Sequence, residues 1–176
     1  MDVSLIELSL AHADSFRSWA EEFSASGEDR NHPQDLQDFP AFISRLEQGK
    51  QPEGLPEGIV PQTCYWLVDS DGRLLGETHL RHFLTPALEE EGGHIGYVIR
   101  PSERRKGYGT LILALALEKA LARGLSRVLV TCDTENIGSA RIIEKNGGIL
   151  ASRAISARSG KQISRYWIEI GEPLSS

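Results

Sequence analysis

Arg104-Arg105-Lys106-Gly107-Tyr108-Gly109 sets three cations and two glycines directly ahead of an apolar run over residues 110–123. That combination is suited to binding an anion. The first N–H groups of a helix have no partner within it, and the aligned peptide dipoles favour negative charge there. Gly107 and Gly109 let backbone approach a phosphate without an intervening Cβ. The cluster runs against a net charge of −6, so it points to an anionic ligand rather than general basicity. A Walker A loop would end in Lys-Ser/Thr, which Gly107-Tyr108-Gly109-Thr110 lacks, and a dinucleotide loop would need glycine where Ile112 stands.

Other residues could do chemistry beside that anion. His94 opens a short apolar segment, and an imidazole titrates in the range useful for a general base; it is equally readable as a hydrogen-bonded strand residue. Glu77, His79 and Arg81 share one face by the period of two, either lining a cleft or forming a solvated face. Trp19 belongs to an aromatic stripe with Phe16 and Phe23, the type of residue that builds a core or lines a ligand site. Asn136 is placed to cap a helix. The five histidines and the cysteines Cys64 and Cys132 lack metal-ligand spacing, so no metal is expected.

The elements that must position these groups follow from pattern. Residues 4–8 read as a strand, 11–23 and 39–48 as helices, and 24–38 as a polar connection. Three prolines and two glycines make 51–62 a loop. Residues 63–68 and 73–83 read as a hairpin about Asp69-Ser70-Asp71-Gly72. After a connection over 85–93, residues 94–100 read as the central strand, ended by Pro101. The helix over 110–123 stops at Gly124. A strand over 127–132, a helix over 136–146 and strands over 149–154 and 162–170 complete the order β-α-α-β-β-β-α-β-α-β-β.

A chain of 176 residues suits one domain, residues 1–176, burying roughly 70% of its unfolded surface. The longest apolar run, 111–117, is far below membrane-spanning length, and the start of the chain has no basic n-region. A reduced cytoplasmic protein is expected, with no membrane partner. The acidic balance argues against nucleic acid.

The six-residue motif resembles the Arg/Gln-x-x-Gly-x-Gly/Ala pyrophosphate loop of the GCN5-related N-acetyltransferase (GNAT) superfamily, whose members bind acetyl-CoA. The segment Asn136 to Gly147 is similar to the family's second signature, matching at Asn136, Ala140, Glu144, Lys145 and Gly147. The run Gly92 to Tyr97, with Arg81-His82 before it and Pro101-Ser102-Glu103 after it, resembles a little-characterised group of bacterial acetyltransferases.

The resemblance covers nearly the whole chain. It implies an α+β GNAT fold: a mixed, mostly antiparallel sheet flanked by helices and splayed beside the central strand. It also implies an acetyl-CoA-dependent N-acetyltransferase, monomeric or homodimeric, in which a small-molecule or peptide amine attacks directly in a ternary complex. Carried over residue by residue, acetyl-CoA would be held by Val98, Ile99, Arg104, Arg105, Lys106, Gly107, Tyr108, Gly109, Thr110, Asn136, Ser139, Ile143 and Lys145. The Val98 backbone would polarise the acetyl carbonyl, His94 would serve as base, and Trp19, Glu77, His79 and Arg81 would meet the acceptor. One departure is that Ile143 stands where many relatives carry a tyrosine that protonates the departing thiolate; Tyr97 and Cys132 are substitutes to consider. A non-catalytic acyl-CoA sensor is the alternative that this departure leaves open.

Overall fold

The computed structural model describes residues 2–28, 30 and 33–171. Its strands are β1 (Val3–Ile6), β2 (Gln62–Asp69), β3 (Leu74–Arg81), β4 (Ile95–Ile99), β5 (Arg127–Asp133), β6 (Ile149–Ile155) and β7 (Gln162–Glu169). The helices are α1 (Ala13–Ala25), α2 (Pro33–Gln37), α3 (Phe39–Gln48), α4 (Pro86–Glu90), α5 (Tyr108–Ala122) and α6 (Ile137–Lys145). The short helices α2 and α4 fall inside the two stretches expected to be plain connections.

Strands β1-β2-β3-β4 form one antiparallel sheet and β5-β7-β6 another. β4 and β5 share no ladder, so the expected splay is present. It closes at one end only. His94 N–H donates to Leu129 O at 2.8 Å, and Leu129 N–H donates back to His94 Nδ1 at 2.9 Å. The approach requires Gly93, which has φ +62, because a Cβ there would lie 2.5 Å from Leu129 O.

Each long helix is held by the face its sequence makes apolar. α1 buries Phe16, Trp19, Ala20 and Phe23 against Trp66, Val68 and Leu74. These residues recur at three- and four-residue spacing, on one stripe of the helix. Phe16 stacks on Phe42 of α3 with centroids 4.7 Å apart, and Phe42 meets Trp66 edge-on. On the opposite face, α5 buries Ile112, Leu113, Ala116, Leu117 and Ala120. Caps mark the other starts: Asp38 accepts from Ala41 N–H, Thr85 from Leu88 N–H and Asn136 from Ser139 N–H.

Arg100, at the end of β4, bolts this sheet to α1. Only 4% exposed, it donates to Glu22, to Leu74 O, and to the carbonyl and hydroxyl of Ser18. Among the described residues no helix is long and apolar enough to cross a membrane.

A candidate acyl-CoA cleft between the splayed strands

The helix expected to receive the anion begins without a side-chain cap. Gly107 occupies its N-cap position with φ +90, a left-handed backbone that favours glycine. A Cβ on Gly107 would meet nothing within 4 Å. The N–H groups of Gly109 and Thr110 find no backbone acceptor ahead of the helix, as at any uncapped helix start. Gly109 also has a packing role. Its Cβ would sit 2.5 Å from Ile142 Cδ1, so this glycine lets α6 pack on α5.

The charges of the loop are largely paired. Arg104 makes two hydrogen bonds to Glu28, at 2.7 and 2.8 Å, and its Nε donates to Ile99 O. Lys106 pairs with Glu103 at 3.0 Å. Arg105, at φ 62, makes no ion pair with the described residues, and it is exposed.

A cleft of about 510 Å³ runs from this loop into the splay. Of the thirteen residues expected to hold the cofactor, Val98, Ile99, Arg104, Arg105, Gly109, Asn136 and Ser139 line it. Asn136 spends its Oδ1 on capping α6, which leaves its amide nitrogen for a ligand. Lys106 and Lys145 are exposed side chains outside the cleft. Thr110 accepts from Asn146 Nδ2 through its carbonyl and serves the α5–α6 contact. Ile143 is 0% exposed in the core; its neighbour Ile142 faces the cleft instead.

Strand parity corrects the backbone contact. The β3–β4 register pairs Glu77 with Val98 and His79 with Gly96. The flanking bonds Arg81 N–H to His94 O and Arg100 N–H to Leu75 O have the same parity. In an antiparallel ladder bonded and non-bonded pairs alternate, so the Val98 peptide faces β3. Tyr97 and Ile99 present theirs to the splay, and Tyr97 N–H replaces Val98 N–H as the donor there. The Tyr97 hydroxyl lies 2.9 Å from Ser139 Oγ, bridging β4 to α6. Burial outweighs that hydrogen bond and pushes the phenol up to about 12.

Two other expected residues are corrected. Trp19 is 0% exposed among core aromatics and is out of reach of any acceptor. His94 is 6% exposed and lines no part of the cleft. Its Nδ1 accepts from Leu129 N–H, so the neutral ring carries its proton on Nε2 and has no lone pair left to act as a base. Burial, then Arg81 and Arg127, pull its pKa down to about 4. Replacing it by leucine leaves the Leu129 N–H without that acceptor, at a cost of about 1–3 kcal/mol. His94→Leu is therefore expected to lower the unfolding midpoint in denaturant while reducing turnover equally at pH 7 and pH 9; a loss confined to pH 7 would restore the base.

The face of β3 turned away from α5 carries Glu77, His79 and Arg81. Burial raises the Glu77 carboxyl above its ordinary range, partly offset by Arg30. Burial, then Arg81 and Arg30, lower His79 to about 4, so its ring is neutral at pH 7. His79 Nε2 is buried without a hydrogen-bond partner. The ring lies across Gly96, where any Cβ would collide with it. His79 and Arg81 border a second cleft of about 230 Å³ on this side of the splay, with Gly96, Cys132 and Arg158. No cluster of potential metal ligands occurs among the described residues.

Comparison with known proteins bears on the fold and the family. Among solved structures, RimJ of Mycobacterium smegmatis in complex with CoA-disulfide superposes with TM-score 0.69 at 16% identity, over 95% of this chain and 81% of that one. A chimera of spermidine N-acetyltransferase SpeG from Vibrio cholerae and hSSAT gives 0.65 at 12%, over 97% and 96%. A structure described as a putative phosphinothricin N-acetyltransferase gives 0.62 at 17%, over 97% and 100%. At these identities the likeness is one of fold. No curated protein matches the chain by sequence. The model of the Acetyltransferase (GNAT) domain, a family that uses acyl-CoA, matches residues 2–149, and the chain belongs to the GNAT acetyltransferases.

Proposed function

We propose that the protein transfers the acetyl group of acetyl-CoA to a primary amine by direct attack, both reactants being held at once. The observation that carries this reading is the uncapped start of α5 opening into a splay that is accessible from two sides. The cleft of Arg105, Gly109 and Asn136 suits the carrier; that of His79 and Arg81 suits the amine. The relatives named for spermidine and phosphinothricin acetylation also support an amine acceptor.

Residues 105–110 would hold the diphosphate through backbone N–H groups, and Asn136 Nδ2 together with the Tyr97 and Ile99 peptides would hold the arm. Acetyl-CoA supplies an activated acyl carbon: the amine nitrogen forms the C–N bond, the C–S bond breaks, and the nitrogen sheds the protons that solvent and sulfur receive. Tyr97 N–H faces the splay where negative charge grows on the acyl oxygen, and preorganised donors of this kind account for much of such catalysis. The Tyr97 hydroxyl, protonated at neutral pH, can donate to the departing sulfur and be resupplied through Ser139. It takes the role that Ile143 cannot perform. Holding both reactants in register supplies a further part of the rate.

A thiol-release assay with acetyl-CoA over a broad amine panel tests the reading. Release dependent on one class of amine is expected, with Tyr97→Phe lowering kcat more than it changes KM. CoA binding without release from any amine would favour the acyl-CoA sensor.

A further inference from the structure

The second cleft contains a charge arrangement that acetyl transfer to a plain amine does not require. Arg81 lies on β3 with its Nη1 bonded to two carbonyls, Gly92 O at 3.1 Å and Gly93 O at 2.9 Å. Arg158 lies in the β6–β7 turn and borders the same cleft. That turn is itself pinned. Ala157 N–H donates to Glu90 Oε1 at 2.8 Å, the Ser156 hydroxyl donates to Glu91, and Arg158 N–H donates to Ser156 Oγ at 3.1 Å. Both guanidiniums are therefore carried on anchored backbone.

Neither has a carboxylate within ion-pair distance among the described residues. The acids bordering the cleft are engaged elsewhere: Asp133 with Lys161 at 2.8 Å, Glu91 with Ser156. Two cations facing one cleft repel each other, and Arg81 is held below its ordinary range by burial and then by Arg158. A half-buried arginine beside a like charge is costly unless an anion joins it, and arginine forks match carboxylates in geometry.

His79 supplies the second half of the site. It precedes Arg81 by two residues on the same face, about 7 Å along the strand; the residue borders the same cleft, and its Nε2 is a buried polar atom without a hydrogen-bond partner. The ring is neutral and presents no charge to repel an amine.

We propose that the acceptor is an amine carrying its own carboxylate, an amino-acid-like zwitterion with the carboxylate between Arg81 and Arg158 and the amine at His79 Nε2. This rests on the acetyl-transfer reading and narrows it. Polyamines, which bring only positive charge, are disfavoured by the same two arginines.

The test uses the whole protein, acetyl-CoA and matched acceptors, each α-amino acid beside its carboxamide, with spermidine as the polyamine. The acid of the best pair is expected to exceed its amide at least tenfold in kcat/KM, although the amide's amine is the more readily deprotonated. Arg158 is exposed and makes no side-chain bond to the described residues, so Arg158→Ala is expected to fold normally. It should raise KM for the acid about tenfold, leave the amide unchanged, and be partly rescued in Arg158→Lys. Amides or spermidine matching the acids, or Arg158→Ala lowering acid and amide alike, would overturn this inference and leave acetyl transfer standing. No release from any amine would overturn both.

Discussion

Gly107→Val is expected to weaken CoA binding about 100-fold, about 2.7 kcal/mol, while the protein stays folded. The two halves of that expectation come from separate facts. A side chain at this position meets nothing within 4 Å, so no packing is lost. The backbone stands at φ +90, and a β-branched residue there is strained by about 1–3 kcal/mol. The turn can relieve that strain only by rotating the N–H groups that open α5. Isothermal titration with CoA, paired with a thermal melt, reads both halves. Unchanged affinity would remove the anion site from this turn. Gly109→Leu provides the contrast, since its side chain would drive into Ile142 and cost stability first.

Arg100→Leu is expected to cost about 3–5 kcal/mol of stability, a fall in Tm of about 10 °C for a chain of this size. The substitution strips hydrogen bonds from Ser18 and Leu74 O and leaves Glu22 half-buried without its principal cation. Burial alone would raise the Glu22 carboxyl, but hydrogen bonds from Ser102, then Arg100, outweigh it and hold the carboxyl at about 2. A depressed carboxylate stabilises the fold above its unfolded pKa, and that contribution is lost as pH falls from 4.5 towards 2. Urea unfolding at pH 7 and pH 3 is expected to show the wild type losing this stabilisation and Arg100→Leu losing all of it but the share that Arg100 supplies, since the larger contribution of Ser102 remains.

A different acid dependence is expected from the histidines. His79 and His94 are both held at about 4, so the unfolded chain binds their protons first. Stability therefore falls with decreasing pH between 6.5 and 4, by up to about 1.4 kcal/mol per pH unit for each. Glu77, displaced upward by burial, opposes part of that loss. Unfolding free energies across this window in wild type and His94→Leu should differ in slope by one proton.

Several of these features were legible in the chain itself. The aromatic stripe of α1, the apolar helix after Gly107, and Asn136 ahead of α6 were all visible from spacing and composition. The splay between β4 and β5 was not; it came with the family resemblance, because no periodicity says which strands fail to pair. Parity was also hidden. A one-residue slip exchanges the peptides that face β3 for those that face the splay, and this separates Val98 from Tyr97. For His94 the chain alone leaves base and hydrogen-bonded strand residue equally open; Gly92 and Gly93, both at positive φ, turn its N–H onto β5 and decide for the second. Arg104 reads as free charge because its partner, Glu28, is brought to it by folding, whereas the Glu103–Lys106 pair is three residues apart and was available as a local signal. α4 carried a signal that was available, Thr85 as cap with Pro86 at its first position, in a stretch only five residues long. Arg158 had no signal at all, since a lone arginine in a hairpin turn has meaning only beside Arg81.

The most direct test is a crystal structure of the protein with bound CoA. The diphosphate is expected within about 3 Å of backbone N–H groups between Arg105 and Thr110, with the arm passing Asn136 and pairing with the Tyr97 and Ile99 peptides. CoA bound elsewhere, or its diphosphate held by side chains while the start of α5 stays unengaged, would contradict the account.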